Sequence, residues 1–526
     1  MHDIIETLQY TTRLVKMWGQ SRLSNGSTLS EALTLNGIPL WDEFAVELAR
    51  IYVPAALSAG ATCSKMRQII KPYLIRAKYA LRDFVRNRYN THGCSSWPTG
   101  HTILCLGSTD YIYRDILHPV ATRLAKHPGC KVVSLSNKSW HNATACPHQN
   151  VSYQTISEHW NQRVVLQVSK LRKELYRIES DLRASNDLAN IIRDDNRPLW
   201  TQLENVFNGF FRADLPLLVP QAVVAQHILE SHRPALVISA DVADPRTRAY
   251  TLLCKRMGIP CMEVQFGFAG AEGIEWQFIS ADLVTALGDT SKKAMRKHGI
   301  PAEKIIITGS PRHDCLVNVS DAEVKSMREK LGVPNASVMV LLASAYQLHT
   351  YDAFSNPELL SSMKRSVFEA ADQTQGICLV VKPHPLEDVR ETRVLARNYK
   401  NIIFVSHKLD IRELTRVCDG FVSFGSTATA DALISGKLVI CPVFPGWVWS
   451  DLFKNTGATL VPNSAAEVLE AFRLFSNGAH KSVLAKLEPA RQNFLTNWVY
   501  RADGLAAERV TEVALHLAQI NNGTAH

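Results

Sequence analysis

At 526 residues the chain is too long for one ordinary domain and suits two or three. Its composition, 46% hydrophobic and 20% charged with a net charge of +9, is that of a folded globular protein and excludes a disordered or strongly nucleic-acid-like chain. Eleven scattered cysteines without a Cys-x-x-Cys pair exclude a disulfide scaffold, and no run approaches the roughly 20 apolar residues of a membrane span.

The start, Met1-His2-Asp3, lacks the basic-then-apolar pattern of a signal peptide. Cys105, Cys254, Cys378 and Cys441 sit inside apolar runs and read as small buried thiols of a reducing compartment, so the expected location is cytoplasmic. Residues 1–95 read as a helical N-terminal region, with apolar spacing at Ile4, Leu8, Leu14 and Val15. Within it, residues 65–88 carry eight Lys/Arg against the single acid Asp83, beside an apolar stripe that includes Met66, Ile69, Tyr73 and Leu81. A basic amphipathic helix of this kind suits an anionic membrane surface, which would make the protein peripheral at the inner membrane. No aromatic platform accompanies the charge, so nucleic acid is not expected as a partner.

From residue 96 onward, short apolar runs alternate with helical patterns. Strands are expected at Thr102–Gly107, Lys131–Leu135, Ala235–Ser239, Cys261–Val264, Leu283–Leu287 and Lys304–Thr308, with a helix over Thr247–Met257. A polar helical stretch at about 155–195 interrupts them. Its Val164, Val168, Leu171, Leu175, Ile178 and Leu182 step by 4, 3, 4, 3 and 4 and suggest an inserted helical hairpin. After a helix at Asp321–Leu331 the alternation restarts, with strands at Val338–Ala343, Ile377–Val381, Ile402–Val405, Phe421–Phe424 and Leu438–Cys441. Strands that alternate with helices form right-handed βαβ units and parallel sheets. The expected organisation is therefore α/β. A helical region over 1–95 precedes a Rossmann-like domain over 96–320. A second such domain follows over 321–485, and helices close the chain over 486–526.

Two segments of the second half carry the chemistry. The strand Ile377–Val381 runs into Lys382-Pro383-His384-Pro385, a basic residue and a histidine stiffened by two prolines. The strand at 421–424 runs into Gly425-Ser426-Thr427 and then a helix start containing Asp431. Turns at the carboxyl ends of parallel strands are where α/β sheets bind ligands. Backbone N–H groups at a helix start, with Lys382 and His384 opposite, suit a phosphate. In the first half, Asp241 and Asp244 follow the strand Ala235–Ser239, and Asp110 follows the first strand. Each is a candidate base for an acceptor hydroxyl. No Asp-x-Asp and no His/Cys/Glu group with metal spacing occurs, and no cofactor or metal is expected.

Over roughly residues 230–460 the chain resembles GT-B glycosyltransferases of bacterial surface polysaccharides. The stretches that carry the likeness are Ser239–Arg246, Gly258-Ile259-Pro260 with Gln265-Phe266-Gly267, Gly309–Asp314 with its Arg312 and His313, and the pair of turns just described. Phe266 stands where such relatives carry histidine, and Asp431-Ala432 where many carry Glu-Ala. The His-Pro pair and the Ser/Thr turn are similar to motifs that hold the nucleotide in transferases of CMP-activated sialic acid or Kdo. CDP-glycerol transferases and non-hydrolysing UDP-sugar epimerases share the architecture. The resemblance implies two Rossmann-like domains facing across a cleft, a nucleotide-sugar donor, and a glycan or glycolipid acceptor. It further implies that His384 meets the leaving phosphate, with Lys382, Pro385, Gly425, Ser426, Thr427, Asp431 and Arg312 around the donor and Asp241 as base.

Overall fold

The computed structural model describes residues 2–57, 97, 101–107, 109–136, 148–242, 244–267, 274–317, 319–345, 356–384, 387–447 and 451–519. The basic stretch 65–88 and Pro385 lie outside the described residues. The chain forms two compact units, one made of 1–286, 291–311 and 507–526, the other of 287–290 and 312–506.

The first unit is built on seven parallel strands: β1 (His101–Gly107), β2 (Cys130–Ser136), β3 (Val151–Thr155), β4 (Leu236–Ser239), β5 (Cys261–Val264), β6 (Leu283–Ala286) and β7 (Ile305–Ile307). Their order across the sheet is β7-β6-β5-β4-β1-β2-β3. Strands buried on both faces read as continuous apolar runs, and that is why most were legible. Successive side chains point to opposite faces. Leu104 and Leu106 of β1 join one core, with Trp18, Trp41, Phe44, Phe207 and the helix Leu215–His232. Ile103 and Cys105 join the other, with residues of the helical run 110–124 and of the last helix, Ala506–Leu517. The N-terminal helices therefore cover one face of the sheet, and the final helix covers the opposite face.

The helical stretch expected near 155–195 takes the form of a long helix followed by a short one, Asp187–Ile191, in place of a hairpin with two long arms. Residues 151–155 are the edge strand β3, missed because only Val151 and Gln154 of its five residues are buried. Asn161 caps a single long helix, Gln162–Ala184, whose Val164, Val168, Leu171, Leu175 and Leu182 are buried as the spacing predicts. It packs beside Leu215–His232, to which Arg172 and Gln167 are tied through the Pro216 carbonyl and Gln226. That second helix was hidden by its two prolines: Pro216 sits in the first turn, where its missing N–H costs nothing, and Pro220 lies inside.

The second unit has five parallel strands: β8 (Val338–Ala343), β9 (Ile377–Lys382), β10 (Ile402–Phe404), β11 (Gly420–Ser423) and β12 (Leu438–Ile440), ordered β10-β9-β8-β11-β12. Helices Pro357–Gln373 and Ala465–Ser476 supply Met363, Val367, Phe368, Phe472 and Phe475 to its core. Phe475 leaves no space for a Cβ on Gly420 at the start of β11. No helix among the described residues is long and apolar enough to cross a membrane.

One buried ion pair fastens the N-terminal region to the first sheet. Arg248, on the helix Pro245–Met257, donates to the Glu43 carboxylate at 3.0 Å and to the Glu43 carbonyl at 2.9 Å, with both side chains at most 2% exposed. Burial pushes the Glu43 carboxyl up to about 7 against the pull of Arg248. Breaking such a pair strands a buried charge, so Arg248→Met should lower the stability of the first unit by about 3–5 kcal/mol in denaturant unfolding. Combining it with Glu43→Gln should restore much of the loss. Equal midpoints for Arg248→Met and the parent would show that the pair contributes nothing.

Candidate functional site

In each sheet the chain starts at an inner strand, fills one side, then crosses to the other. The resulting switch points lie between β1 and β4 in the first unit and between β8 and β11 in the second, and ligands of open α/β sheets bind outside the carboxyl ends of strands at such points.

In the second unit, Ala343 of β8 is in register with Lys382 of β9 and with Ser423 of β11. The loops that begin at Ser344, Pro383 and Phe424 therefore leave three adjacent strands side by side. This brings together the two turns singled out in the sequence.

The His384 turn is held by a residue the sequence reading missed. The Glu387 carboxylate accepts the His384 N–H at 2.9 Å through Oε2. Its Oε1 accepts from Ser344 at 2.8 Å, from Lys364 at 2.7 Å and from Thr392. Lys364 and Glu387 are 7% and 4% exposed, so four chain segments converge on one buried carboxylate. Burial, followed by the positive charges of Lys382 and Lys364 and opposed by Glu387, drops the His384 imidazole to about 4. It is neutral at neutral pH. Lys382 is turned inward, 6% exposed, with its ammonium on the Pro383 carbonyl at 2.9 Å, and is not displayed as the sequence suggested.

Across β8, the Ser423 hydroxyl accepts the N–H groups of Gly425 at 3.3 Å and Ser426 at 3.1 Å, and shares a 3.1 Å hydrogen bond with the Ser426 hydroxyl. Gly425 has φ +100°, a conformation that requires glycine. Trp447 clamps the same turn through the Phe424 carbonyl at 3.1 Å. Ser426 is half-buried and Thr427 exposed, and the helix Ala428–Ile434 follows.

Asp431 is held by protein groups. It is fully buried, and Arg312 grips both of its oxygens, with His313 Nε2 at 3.6 Å. Arg412, paired with Asp410, donates to the Arg312 carbonyl at 3.3 Å. Burial and the two arginines hold the His313 imidazole down at about 3. Arg312, His313 and Asp431 thus tie the start of the second unit to the helix behind the Ser423 turn, a scaffold where donor contacts were expected.

In the first unit, Asp241 follows β4 and is half-buried, and its carbonyl accepts from Thr247 and from the Asp244 N–H. Asp244 is the N-cap of the helix Pro245–Met257, with its carboxylate on Arg246; burial opposes ionisation, but the Arg246 hydrogen bonds prevail and keep it charged. Asp110 begins a short helix after β1. A second missed group stands beside Asp241. Glu263 of β5 is in register with Ser239 of β4 and accepts its hydroxyl. Burial first, then the Asp241 charge, raises its carboxyl to about 8. An acid inside an apolar strand was the available signal. In the Gln-Phe-Gly stretch, Gln265 is buried on the Gly267 carbonyl and on Ser291, while Phe266 is exposed. Among the described residues no group of three His, Cys, Asp or Glu side chains is placed to hold a metal.

Residues 249–426 match the family model of CDP-glycerol:poly(glycerophosphate) glycerophosphotransferase. No curated protein matches the chain by sequence. Among solved structures, the UDP-GlcNAc 2-epimerase of Neisseria meningitidis bound to UDP-GlcNAc superposes at a TM-score of 0.51 with 15% identity, covering 79% of this chain and 100% of its own. A putative UDP-N-acetylglucosamine 2-epimerase from Listeria monocytogenes gives 0.52 with 11% identity, covering 81% and 98%. At these identities the superpositions speak for the fold, the two-domain GT-B architecture, and the family match speaks for an enzyme of the nucleotide-dependent transferase kind.

The Glu263 carboxyl supplies a pH test. Its folded value, about 8, lies above the ordinary glutamate value of about 4.3. Its contribution to stability is therefore complete below about pH 4.3 and is lost as pH rises through about 8. Glu263→Gln should flatten the fall in unfolding free energy across that window. A variant whose pH profile parallels the parent's would show that Glu263 ionises normally.

Proposed function

We propose that this protein transfers a phosphate-linked polyol, of the glycerol-phosphate kind, from a cytidine-diphosphate donor to a hydroxyl of a growing surface polymer. The supporting observation is the extent of the family match: it begins in the helix after Asp244, crosses the whole His384 turn and ends at Ser426. The match favours this donor over the CMP-linked acidic sugar suggested by the His-Pro resemblance, although both present a phosphate beside cytidine to the same turns.

In the proposed reaction the acceptor oxygen bonds to the β-phosphorus, the bond from that phosphorus to the bridging oxygen breaks, and CMP leaves with the electron pair. Ser426 and Thr427, at the start of the helix Ala428–Ile434, and His384 are the proposed phosphate partners. His384 is neutral in the nucleotide-free protein, and a phosphate anion beside it raises its affinity for a proton. Donor binding would thus load the proton that the leaving phosphate takes up. Asp241 is the proposed base, and the working location is the cytoplasm.

With CDP-glycerol and a poly(glycerophosphate) acceptor, the protein should release CMP. His384→Ala should reduce turnover by on the order of a hundredfold, the range of a lost proton donor, with far-UV circular dichroism unchanged. A near-normal rate in His384→Ala contradicts the assignment. Formation of an epimer from UDP-GlcNAc alone would place the chain among isomerases.

A further inference from the structure

Glu263 binds the chain on both sides of Asp241. From β5, where it is 2% exposed, its carboxyl reaches the Ser239 hydroxyl at the end of β4. It also accepts the N–H of Val242. The peptide unit that follows Asp241 is therefore held at both ends. Its N–H, that of Val242, is bound by Glu263. Its carbonyl, that of Asp241, accepts from the Thr247 hydroxyl at 2.5 Å and from the Asp244 N–H at 3.1 Å. A planar unit bound through both oxygen and nitrogen cannot turn, and this fixes the direction in which the Asp241 side chain leaves the loop. The Val242 side chain adds a hydrophobic anchor, packed against the cluster of Trp276 and Val284.

We infer that Glu263 is a positioning residue for the proposed reaction: by binding Ser239 and the Val242 N–H it holds the intervening Asp241 carboxylate in one orientation for the acceptor hydroxyl. The inference rests on the reading of Asp241 as base and involves neither the donor nor its phosphates. A strand needs no carboxyl at this position. The residues around Glu263 in β5, Cys261, Met262 and Val264, are buried and apolar, and a fourth such residue would avoid the cost of burying an acid. Departures of this kind from local preference gather at functional sites. Glu263 is also close enough for the Asp241 charge to strengthen its hold on a proton. A hydroxyl both donates and accepts, so the bond to Ser239 persists whether Glu263 is protonated or ionised.

CMP release by the full chain, with CDP-glycerol and a poly(glycerophosphate) acceptor, tests it. E263M has a similar volume and no acceptor. It should lower kcat by on the order of tenfold to a hundredfold, the effect of misplacing a catalytic group by about 1 Å, with KM for CDP-glycerol unchanged. E263Q keeps an acceptor for the Val242 N–H and should recover most of that loss. Because Glu263 acts through Asp241, adding E263M to D241N should slow it by less than about twofold, whereas a general loss of structure would add in full. S239A, which removes one hydroxyl, supplies the same comparison if E263M does not fold: it should slow the parent severalfold and D241N hardly at all. Independently of activity, amides of 241–246 should exchange with deuterium severalfold faster in these variants than in the parent. The inference is overturned if E263M keeps the parent's kcat, if it slows D241N as much as it slows the parent, or if exchange over 241–246 is unchanged. A D241N that transfers at the parent's rate overturns the base assignment and this inference with it. A parent that releases no CMP overturns the proposed transfer alone, and the exchange result then decides whether Glu263 fixes the loop.

Discussion

The Glu387 carboxylate holds together the loops on which the candidate site depends. Parallel strands present their carboxyl ends in a row, but a row of strand ends is not yet a site, because each loop is free to leave in its own direction. Here Ser344 after β8, His384 after β9, Lys364 from the helix between those strands and Thr392 from the helix after the turn all bond to one carboxylate. The group is nearly excluded from water, so its hydrogen bonds to the Lys364 ammonium and the other donors are strong, and losing the carboxylate would strand the ammonium at a cost of about 3–5 kcal/mol. The arrangement also sets the chemistry. Burial keeps the His384 imidazole in its neutral form.

The same logic recurs on the other side of β8 and in the first unit. Around Asp431, a fully buried carboxylate takes an arginine from a distant segment and fixes the approach to the Ser423 turn. Around Glu43, a carboxylate takes Arg248 and fixes the N-terminal helices. Glu263 differs, since its neighbours are a hydroxyl and another carboxylate, and it meets burial by holding a proton. The carboxylates with a cation beside them serve the scaffold, whereas Glu263 has no cation among its neighbours and is pushed toward its protonated form. Among the described residues of the two turns, Thr427 is exposed, and the turns are anchored from behind by these buried groups.

The sheets were legible because parallel strands are buried on both faces and leave apolar runs of the right length, as β5 and β8 did to the residue. The Pro-His and Gly-Ser-Thr turns were legible because proline and glycine declare their backbone needs locally. What escaped was decided by partners remote in sequence. Asp431 looked available for a ligand, and only folding reveals Arg312 upon it from 119 residues away. Glu387, two residues beyond Pro385, and Lys364 carry no local signal of the buried pair they form. The last helix was recognised as helical, but its Ala507, Val510 and Ala514 gave no hint that they pack on the first sheet. Edge strand β3 and the proline-bearing helix Leu215–His232 were lost because their local signals contradict their structure.

Hydrogen–deuterium exchange of the full chain with and without CDP tests the central claim most directly. If the turns after β9 and β11 hold the nucleotide phosphates, backbone amides in 382–387 and 423–430 gain protection together when CDP binds, while β10 and β12 are unchanged. Binding of CDP without protection in either segment, or with protection confined to the first unit, would contradict the account.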